Sequence, residues 1–264
     1  MELVHTILAA ALVLFLYMTA LFLVALKRKD NSIADVAWGP GFILVTWTTL
    51  ALDGSFSLRQ LIVGVLVLIW GLRLSVRIYL RNRGKGEDPR YRTWRKKWGK
   101  SFVLRSYLQV FLLQGGILLL NVAPVLVINT FDEGALGVLD YLGVLVWLLG
   151  FGFESVADRQ LDQFIKDPGN RGKIMDQGLW RYSRHPNYFG EVTLWWGIYI
   201  LAVSVPWGWL SIIGPLTITY IILFVSGIPM TERLMEDKPA FADYKKRTSA
   251  FIPWFPGKDK STQE

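Results

Sequence analysis

Seven apolar stretches alternate with polar segments along the 264 residues of the chain. They run from Leu3 to Leu26, Val36 to Leu52, Leu61 to Leu80, Leu108 to Ile128, Leu136 to Phe153, Tyr188 to Val205 and Trp209 to Ile228. A helix that spans a bilayer needs about 20 mainly apolar residues. The first, fourth and seventh stretches meet this length, and the second and sixth are marginal. The pattern therefore predicts an all-α integral membrane protein with seven transmembrane helices.

Strongly basic segments follow only the odd-numbered stretches. Residues 27–29 follow the first stretch, the dense segment from Arg81 to Arg105 follows the third, and further cations follow the fifth and the seventh. The opposite side has Arg59 as its one cation and the acidic residues Glu2, Asp53, Asp132 and Glu133. By the positive-inside rule, the amino terminus lies outside and the carboxy terminus in the cytoplasm. We expect a multi-pass protein of the cell inner membrane.

Composition excludes several other classes of protein. The net charge is +8, but 52% of the residues are hydrophobic, so the basic loops are interpreted as topology determinants that also face anionic lipid or a phosphorylated ligand. Nucleic acid is not an expected partner. The chain has no cysteine, which excludes disulfides and thiolate chemistry. His5 and His185 lie far apart and form no evident cluster with carboxylates, so no metal site is predicted.

The chain shows no repeat and no linker, and we expect one domain over residues 1–264 in a monomeric protein. The first stretch begins at Met1 without a basic leader or a small-residue cleavage site, and it is interpreted as a retained helix. The segment from Gly257 to Glu264 is interpreted as a frayed polar end.

Ionisable residues in or beside the apolar stretches are the first candidates for a site, because charge is costly there unless it faces a cavity. These residues are Asp35, Arg73, Arg77, Glu154, Asp158 and Glu191. All but Arg73 lie near predicted cytoplasmic ends, which indicates a polar cavity open to the cytoplasm. The alternative is that Arg77 and Glu154 merely extend to the headgroups.

The segment from Arg81 to Tyr91 places Gly84 and Gly86 among cations such as Lys85. Glycine lets the backbone approach phosphate, and arginine binds it with two donors. An ordinary positive-inside loop is the alternative. The segment from Arg81 to Tyr91 is not a Walker A loop, because no Gly-Lys-Ser/Thr occurs there.

The most specific string is Arg184-His185-Pro186-Asn187-Tyr188, which stands at the start of the sixth stretch. A helix amino terminus has free N–H groups and attracts anions. A lone histidine is more often structural, but the setting of His185 between Arg184 and Asn187 favours a binding site.

Through this string the chain resembles the steroid 5-alpha-reductase family. Within that family it is most similar to a bacterial branch of uncharacterised integral membrane proteins (DUF1295-like). The strings Asp35-Val36-Ala37-Trp38-Gly39 and Gly84-Lys85-Gly86-Glu87-Asp88-Pro89-Arg90-Tyr91 and the segment from Tyr244 to Pro253 also match. The Arg-His-Pro string recurs in sterol C14 and C7 reductases and in isoprenylcysteine carboxyl methyltransferases. The resemblance implies seven helices and NADPH-dependent reduction of a carbon–carbon double bond conjugated to a ketone, as in a 3-oxo-Δ4-steroid.

The resemblance also implies roles for individual residues. Asp35 would be a protonated acid that polarises the ketone, and Trp38 and Glu191 would meet the lipophilic substrate. Most cofactor residues fall in the region of about 103–256. The full set is Arg77, Lys85, Arg90, Tyr91, Glu154, Asp158, Lys166, Lys173, Tyr182, Arg184, His185, Asn187, Tyr188 and Arg233. The third stretch lacks the family's catalytic tyrosine, since Tyr79 lies too near its cytoplasmic end.

Two other functions remain open from the sequence. One is a membrane methyltransferase that uses S-adenosylmethionine, and the other is a sterol or lipid sensor without catalysis. The basic segment from Arg81 to Arg105 favours the reductase, because NADPH carries a pyrophosphate and a 2′-phosphate.

Overall fold

The structure is a computed structural model that describes residues 2–132 and 134–257. Glu133 and the polar end from residue 258 onward lie outside the described residues. All regular elements within the described ranges are helices, as the sequence predicts. The chain divides into two compact units: unit 1 is Met1–Gly137 with Leu201–Gly214, and unit 2 is Val138–Ile200 with Pro215–Glu264. The single domain over the whole chain remains a prediction.

Unit 1 contains the first eight α-helices. They are α1 (Leu3–Arg28), α2 (Ile33–Val36), α3 (Trp38–Asp53), α4 (Leu58–Asn82), α5 (Pro89–Trp98), α6 (Phe102–Arg105), α7 (Leu113–Asn121) and α8 (Ala123–Phe131). A π-helical segment, Ser106–Leu112, joins α6 to α7. The fourth apolar stretch is therefore divided into several helical segments, with Pro124 in the first turn of α8.

Unit 2 contains most of the remaining helices. They are α9 (Val138–Lys166), α10 (Pro186–Val203), α11 (Ile213–Tyr220), α12 (Ile228–Arg233) and α13 (Pro239–Arg247). The last residues of α10 and the first of α11 belong to unit 1.

Five helical stretches of the described chain are long and apolar enough to cross a membrane. They are Leu3–Arg28, Leu58–Asn82, Pro89–Asn121, Val138–Lys166 and Gly208–Arg233. The protein is therefore membrane-embedded. The second and sixth apolar stretches form α3 and α10, of 16 and 18 residues, and neither is among the five. Seven crossings and the orientation of the termini remain predictions.

In unit 1, α3 and α4 cross at two glycines. A Cβ atom on Gly39 would lie 2.0 Å from the carbonyl oxygen of Gly71, so a larger residue has no space there. The Ser75 hydroxyl donates to the Val36 carbonyl at 2.9 Å beside this crossing. The contact fixes the end of α3 that follows Asp35.

The other end of α4 is held by a buried ion pair. Arg59 and Asp132 are 3% and 6% exposed, and the Arg59 guanidinium donates to the Asp132 carboxylate. Ser57 caps α4 by accepting from the Gln60 N–H at 3.2 Å, and it also donates to Asp132. The one cation of the poorly basic side is thus neutralised inside the protein.

In unit 2, α9 and α10 cross through a row of glycines. A Cβ on Gly150 would lie 2.4 Å from the Leu194 N atom, and one on Gly190 would lie 2.4 Å from the Glu154 N atom. A Cβ on Gly197 would lie 2.6 Å from the Trp147 N atom. Small residues allow membrane helices to approach closely, so these contacts set the position of α10 against α9.

We expect Gly150→Ala to lower the free energy of unfolding by about 1–3 kcal/mol, because its methyl group has no space at the crossing. Gly152, on the same helix, has no heavy atom within 4 Å of an added Cβ. Gly152→Ala should therefore be neutral, or stabilising by up to about 1 kcal/mol. Thermal unfolding in detergent measures both variants, and equal effects would contradict the close crossing.

Candidate functional site

Asp35 lies at the centre of a hydrogen-bonded cluster in unit 1. Its carboxylate oxygens accept hydrogen bonds from Arg90 Nη2 at 2.6 Å and from the Tyr91 phenol at 2.6 Å. Asp88 holds the same guanidinium, because its Oδ1 accepts from Arg90 Nε at 2.9 Å. The structure thus brings together Asp35, Arg90 and Tyr91, which the sequence predicted for the site.

The loop between α4 and α5 supplies these partners by folding back onto α2. The N–H of Asp88 donates to the Ser32 hydroxyl at 2.7 Å, and the N–H of Asn31 donates to Glu87 Oε1 at 3.1 Å. Glu87 also forms a salt bridge with Arg95 at 2.7 Å. The two acidic residues of the loop therefore hold it against the start of the second apolar stretch.

Glycine makes the reversal of this loop possible. Gly84 and Gly86 have φ angles of 79° and 71°, which residues with a side chain rarely adopt. Lys85 lies between them and is exposed. Arg90, to which the resemblance gives a cofactor role, is bound to acidic side chains in the structure. The cofactor roles of Lys85, Arg90 and Tyr91 remain predictions.

Opposing effects act on the ionisation of this cluster. Burial raises the pKa of Asp35, and the Arg90 guanidinium and the Tyr91 hydrogen bond oppose that rise. Burial also acts to raise the pKa of Asp88, but hydrogen bonds from Arg90 overcome it and hold this pKa below its usual range. The resemblance implies a protonated Asp35, and the rise in its pKa acts in that direction. That role remains a prediction.

Trp38 and Gln114 extend the cluster to α7. Trp38 Nε1 donates to Gln114 Oε1 at 2.8 Å, and the Gln114 side chain also lies near the Tyr91 phenol. Gln114 thereby connects a predicted substrate residue to a predicted cofactor residue. The sequence analysis missed it, because a single glutamine in an apolar stretch belongs to none of the motifs.

In unit 2, Arg184 and His185 converge on Glu232. Arg184 Nε and Nη2 each lie 2.8 Å from Glu232 Oε1, and His185 Nε2 lies 3.3 Å from the same oxygen. Arg184 Nη1 donates to the carbonyls of Lys245 and Thr248. Arg184 is 8% exposed, and these donors bind groups within unit 2. Its cofactor role remains a prediction.

A cavity of about 80 Å³ lies beside this ion pair. Arg184, His185 and Glu232 form part of its wall. The remaining wall is mostly apolar or aromatic and includes Ile174, Met175, Trp180, Met235, Phe241 and Tyr244. Lys173, predicted to contact phosphate, directly precedes the wall residue Ile174 and is exposed. A small, mainly apolar group suits this cavity.

Other predicted residues lie where α10 begins and where it crosses α9. Glu154 and Asp158 on α9 are each 3% exposed. Asn187 is the second residue of α10, and its Oδ1 atom is buried without a hydrogen-bond donor among the described residues. Glu191 follows one turn later and is half-buried. The Asn187 oxygen is an acceptor whose partner a ligand could supply.

The remaining predicted residues occupy the surface or support the motif. Tyr188 stacks on His185 at 5.4 Å between ring centroids, and its hydroxyl lies 3.1 Å from Thr231 Oγ1. Arg77 is half-buried on α4. The exposed members of the set, besides Lys85 and Lys173, are Lys166, Tyr182 and Arg233.

Two acidic residues were also missing from the predicted site, Asp88 and Glu232. Asp88 had a usable signal, because Asp-Pro is typical of a helix start, and Asp88 is the N-cap of α5. Glu232 had none beyond its place in a charged segment.

We expect acid to destabilise unit 2 through His185. Burial lowers the pKa of His185 from 6.5 to about 4, although Glu232 opposes the change. Between these pH values the unfolded chain binds a proton at His185 that the folded protein does not bind. The free energy of unfolding therefore falls as the pH drops from 6.5 to 4. His185→Gln should abolish this contribution, which is at most about 3 kcal/mol.

Thermal unfolding between those pH values measures the effect. His5→Gln is the control, since His5 is the other of the two histidines and its side chain is 65% exposed. It should keep the wild-type profile. Parallel pH profiles for the wild type and His185→Gln would contradict the expectation.

Sequence comparisons connect the chain to proteins without an assigned activity. A protein of Schizosaccharomyces pombe described as uncharacterized is 25% identical over 235 residues, which cover 76% of this chain and 65% of that protein. The chain thus spans about two thirds of the length of this curated relative. No solved structure matches the chain. The family described as "Protein of unknown function (DUF1295)" matches residues 21–248. Because this match covers most of the sequence, the protein belongs to the DUF1295 family.

Proposed function

We propose that the protein is a membrane oxidoreductase that uses NADPH to reduce a carbon–carbon double bond conjugated to a ketone in a lipophilic, steroid-like substrate. The observation that carries the proposal is the cluster of Tyr91, Asp35 and Arg90. The family resemblance described above supports the same reaction class. We further propose that the protein lies in the cell inner membrane with this cluster on the cytoplasmic side.

The cluster suits polarisation of a ketone. Negative charge develops on the carbonyl oxygen during reduction of an enone, and a fixed hydrogen-bond donor stabilises that charge. Tyr91 is the donor we assign to this role, in place of the tyrosine that the third stretch lacks. A phenol has one proton, and in the structure it points to Asp35, whose oxygen lies 2.6 Å away. Asp35 is then a positioning residue: once protonated, it donates to the phenol oxygen and leaves the phenol proton for the carbonyl, and burial raises its pKa in that direction. Arg90 keeps a positive charge beside this pair.

Residues of unit 2 fit NADPH by their chemistry. The buried Oδ1 of Asn187 lacks a donor among the described residues and suits the carboxamide N–H of nicotinamide. The exposed cations Lys166, Lys173 and Arg233 suit phosphate, and the apolar cavity beside His185 suits a flat ring. Glu154 suits a ribose hydroxyl, since a carboxylate repels phosphate. NADPH would supply the hydride.

A membrane methyltransferase is the second candidate, because an apolar cavity with aromatic walls would hold the adenine of S-adenosylmethionine equally well. Thermal stabilisation of the purified protein separates the two. NADPH should stabilise it and S-adenosylhomocysteine should not, and the reverse result would replace the reductase by the methyltransferase. Turnover is then tested with NADPH and a panel of lipophilic enones that includes a 3-oxo-Δ4-steroid, with products identified by mass.

We expect Tyr91→Phe to lower kcat by about 10²–10⁴, because the donor to the carbonyl oxygen is lost. The Kd for NADPH should stay within about twofold of the wild type, since the substitution leaves the Asp35–Arg90 pair intact. Tyr79→Phe is the matched control, because Tyr79 is 54% exposed on α4. It should keep wild-type kcat. Equal kcat in both variants would remove Tyr91 from the reaction.

We expect Asn187→Ala to weaken NADPH binding by about tenfold, which corresponds to the loss of one hydrogen bond with a buried partner. Isothermal titration with NADPH measures the change. Asn170→Ala, in the short 3₁₀ helix Pro168–Asn170, is the control and should bind as the wild type does. Unchanged affinity in Asn187→Ala would exclude this residue from the cofactor site.

A further inference from the structure

The exposed face of α5 carries cations that the Asp35 cluster does not use. Arg90 and Arg95 form salt bridges with acidic side chains on the inner face of the helix. Lys96, Lys97 and Lys100 are exposed, and none of them forms a salt bridge with an acidic residue in the part of the chain that the structure describes. Three cations thus stand within five residues without an acidic partner.

An aromatic row runs along α5 to the start of α6. Trp94 and Trp98 stack with ring centroids 5.4 Å apart, and Trp98 lies 6.2 Å from Phe102 at the start of α6. Gly99 ends α5 with a φ of 48°, so the chain changes direction between α5 and α6. A short helix with one basic and one aromatic face is typical of the membrane interface.

The three lysines come shortly before exposed apolar residues of a candidate membrane span. Val103 and Leu104 are 52% and 61% exposed, and both belong to the candidate span Pro89–Asn121. Apolar side chains exposed on a spanning helix face the hydrocarbon. Lys100 precedes Val103 by three residues, a rise of about 5 Å at about 1.5 Å per residue. In a bilayer crossed by this span, the Lys100 ammonium group would lie next to the boundary between hydrocarbon and headgroups.

We propose that Lys96, Lys97 and Lys100 form a binding surface for the phosphate headgroup of an anionic phospholipid, with Arg105 below them. The acyl chains would continue over the exposed Val103 and Leu104. A lipid fits better than a free phosphate, because the cations stand directly before exposed apolar side chains that acyl chains can cover. Each cation near the surface contributes roughly a fivefold increase in affinity for an anionic lipid at low salt.

The test uses the purified full-length protein in detergent with equal amounts of phosphatidylglycerol and phosphatidylcholine. Native mass spectrometry counts the lipids that remain bound. The wild type should retain phosphatidylglycerol in preference, and the variant K96Q/K97Q/K100Q should lose at least about tenfold of this affinity. Raising NaCl from about 0.05 to 0.5 M should release the lipid from the wild type, and this measurement needs no variant.

The control variant K27Q/R28Q/K29Q removes the same charge at the end of α1. It should retain phosphatidylglycerol as the wild type does, and an equal loss in both variants would mean that net charge alone attracts the lipid. No preference for phosphatidylglycerol in the wild type would also overturn the proposal. Release of the lipid by NADPH would assign the three lysines to the cofactor phosphates instead. The lipid experiment needs no turnover, so its outcome is independent of the reductase proposal.

Discussion

The need to neutralise the Asp35 carboxylate shapes unit 1. A charged group near the end of a membrane helix is costly unless a cation and hydrogen-bond donors accompany it. The chain provides them by folding the loop after α4 back onto α2, where Arg90 and Tyr91 reach the two carboxylate oxygens. Asp88 holds the guanidinium from the other side. The start of α5, and with it the cations of its outer face, follows from this arrangement.

A different constraint governs unit 2, where glycines, which have no side chain, set the distance between α9 and α10. Gly150 and Gly190 allow the backbones of α9 and α10 to approach so closely that a methyl group has no space. The close crossing brings Glu154 on α9 beside the first turns of α10, where Asn187 and Glu191 lie. Small residues thus determine which polar groups can share a site, although they contribute no chemistry themselves.

Motif residues and their partners differed in how well the sequence predicted them. Asp35, Trp38, Arg90 and Tyr91 were candidates from short strings, and the structure joins Asp35 to Arg90 and Tyr91 by hydrogen bonds. Their pairing could not be read from the strings, because Asp35 and Arg90 are 55 residues apart and their contact depends on the path of the loop. Arg184 illustrates the converse case, since an arginine in a conspicuous motif is bound to Glu232 within the protein.

The sequence by itself determined that this is an all-helical membrane protein. The length of each apolar stretch and the positions of the charged residues are local properties of the sequence, so no long-range contact is needed to recognise them. It also determined which residue types are available for chemistry, and it excluded thiol chemistry. Only the tertiary structure decided which of the cations are neutralised inside the protein and which remain exposed. It also decided that Tyr91, and not a tyrosine of the third apolar stretch, lies beside Asp35, and that a cavity opens beside His185. These features depend on contacts between residues far apart in sequence, and the energy of a buried charge is set by such contacts.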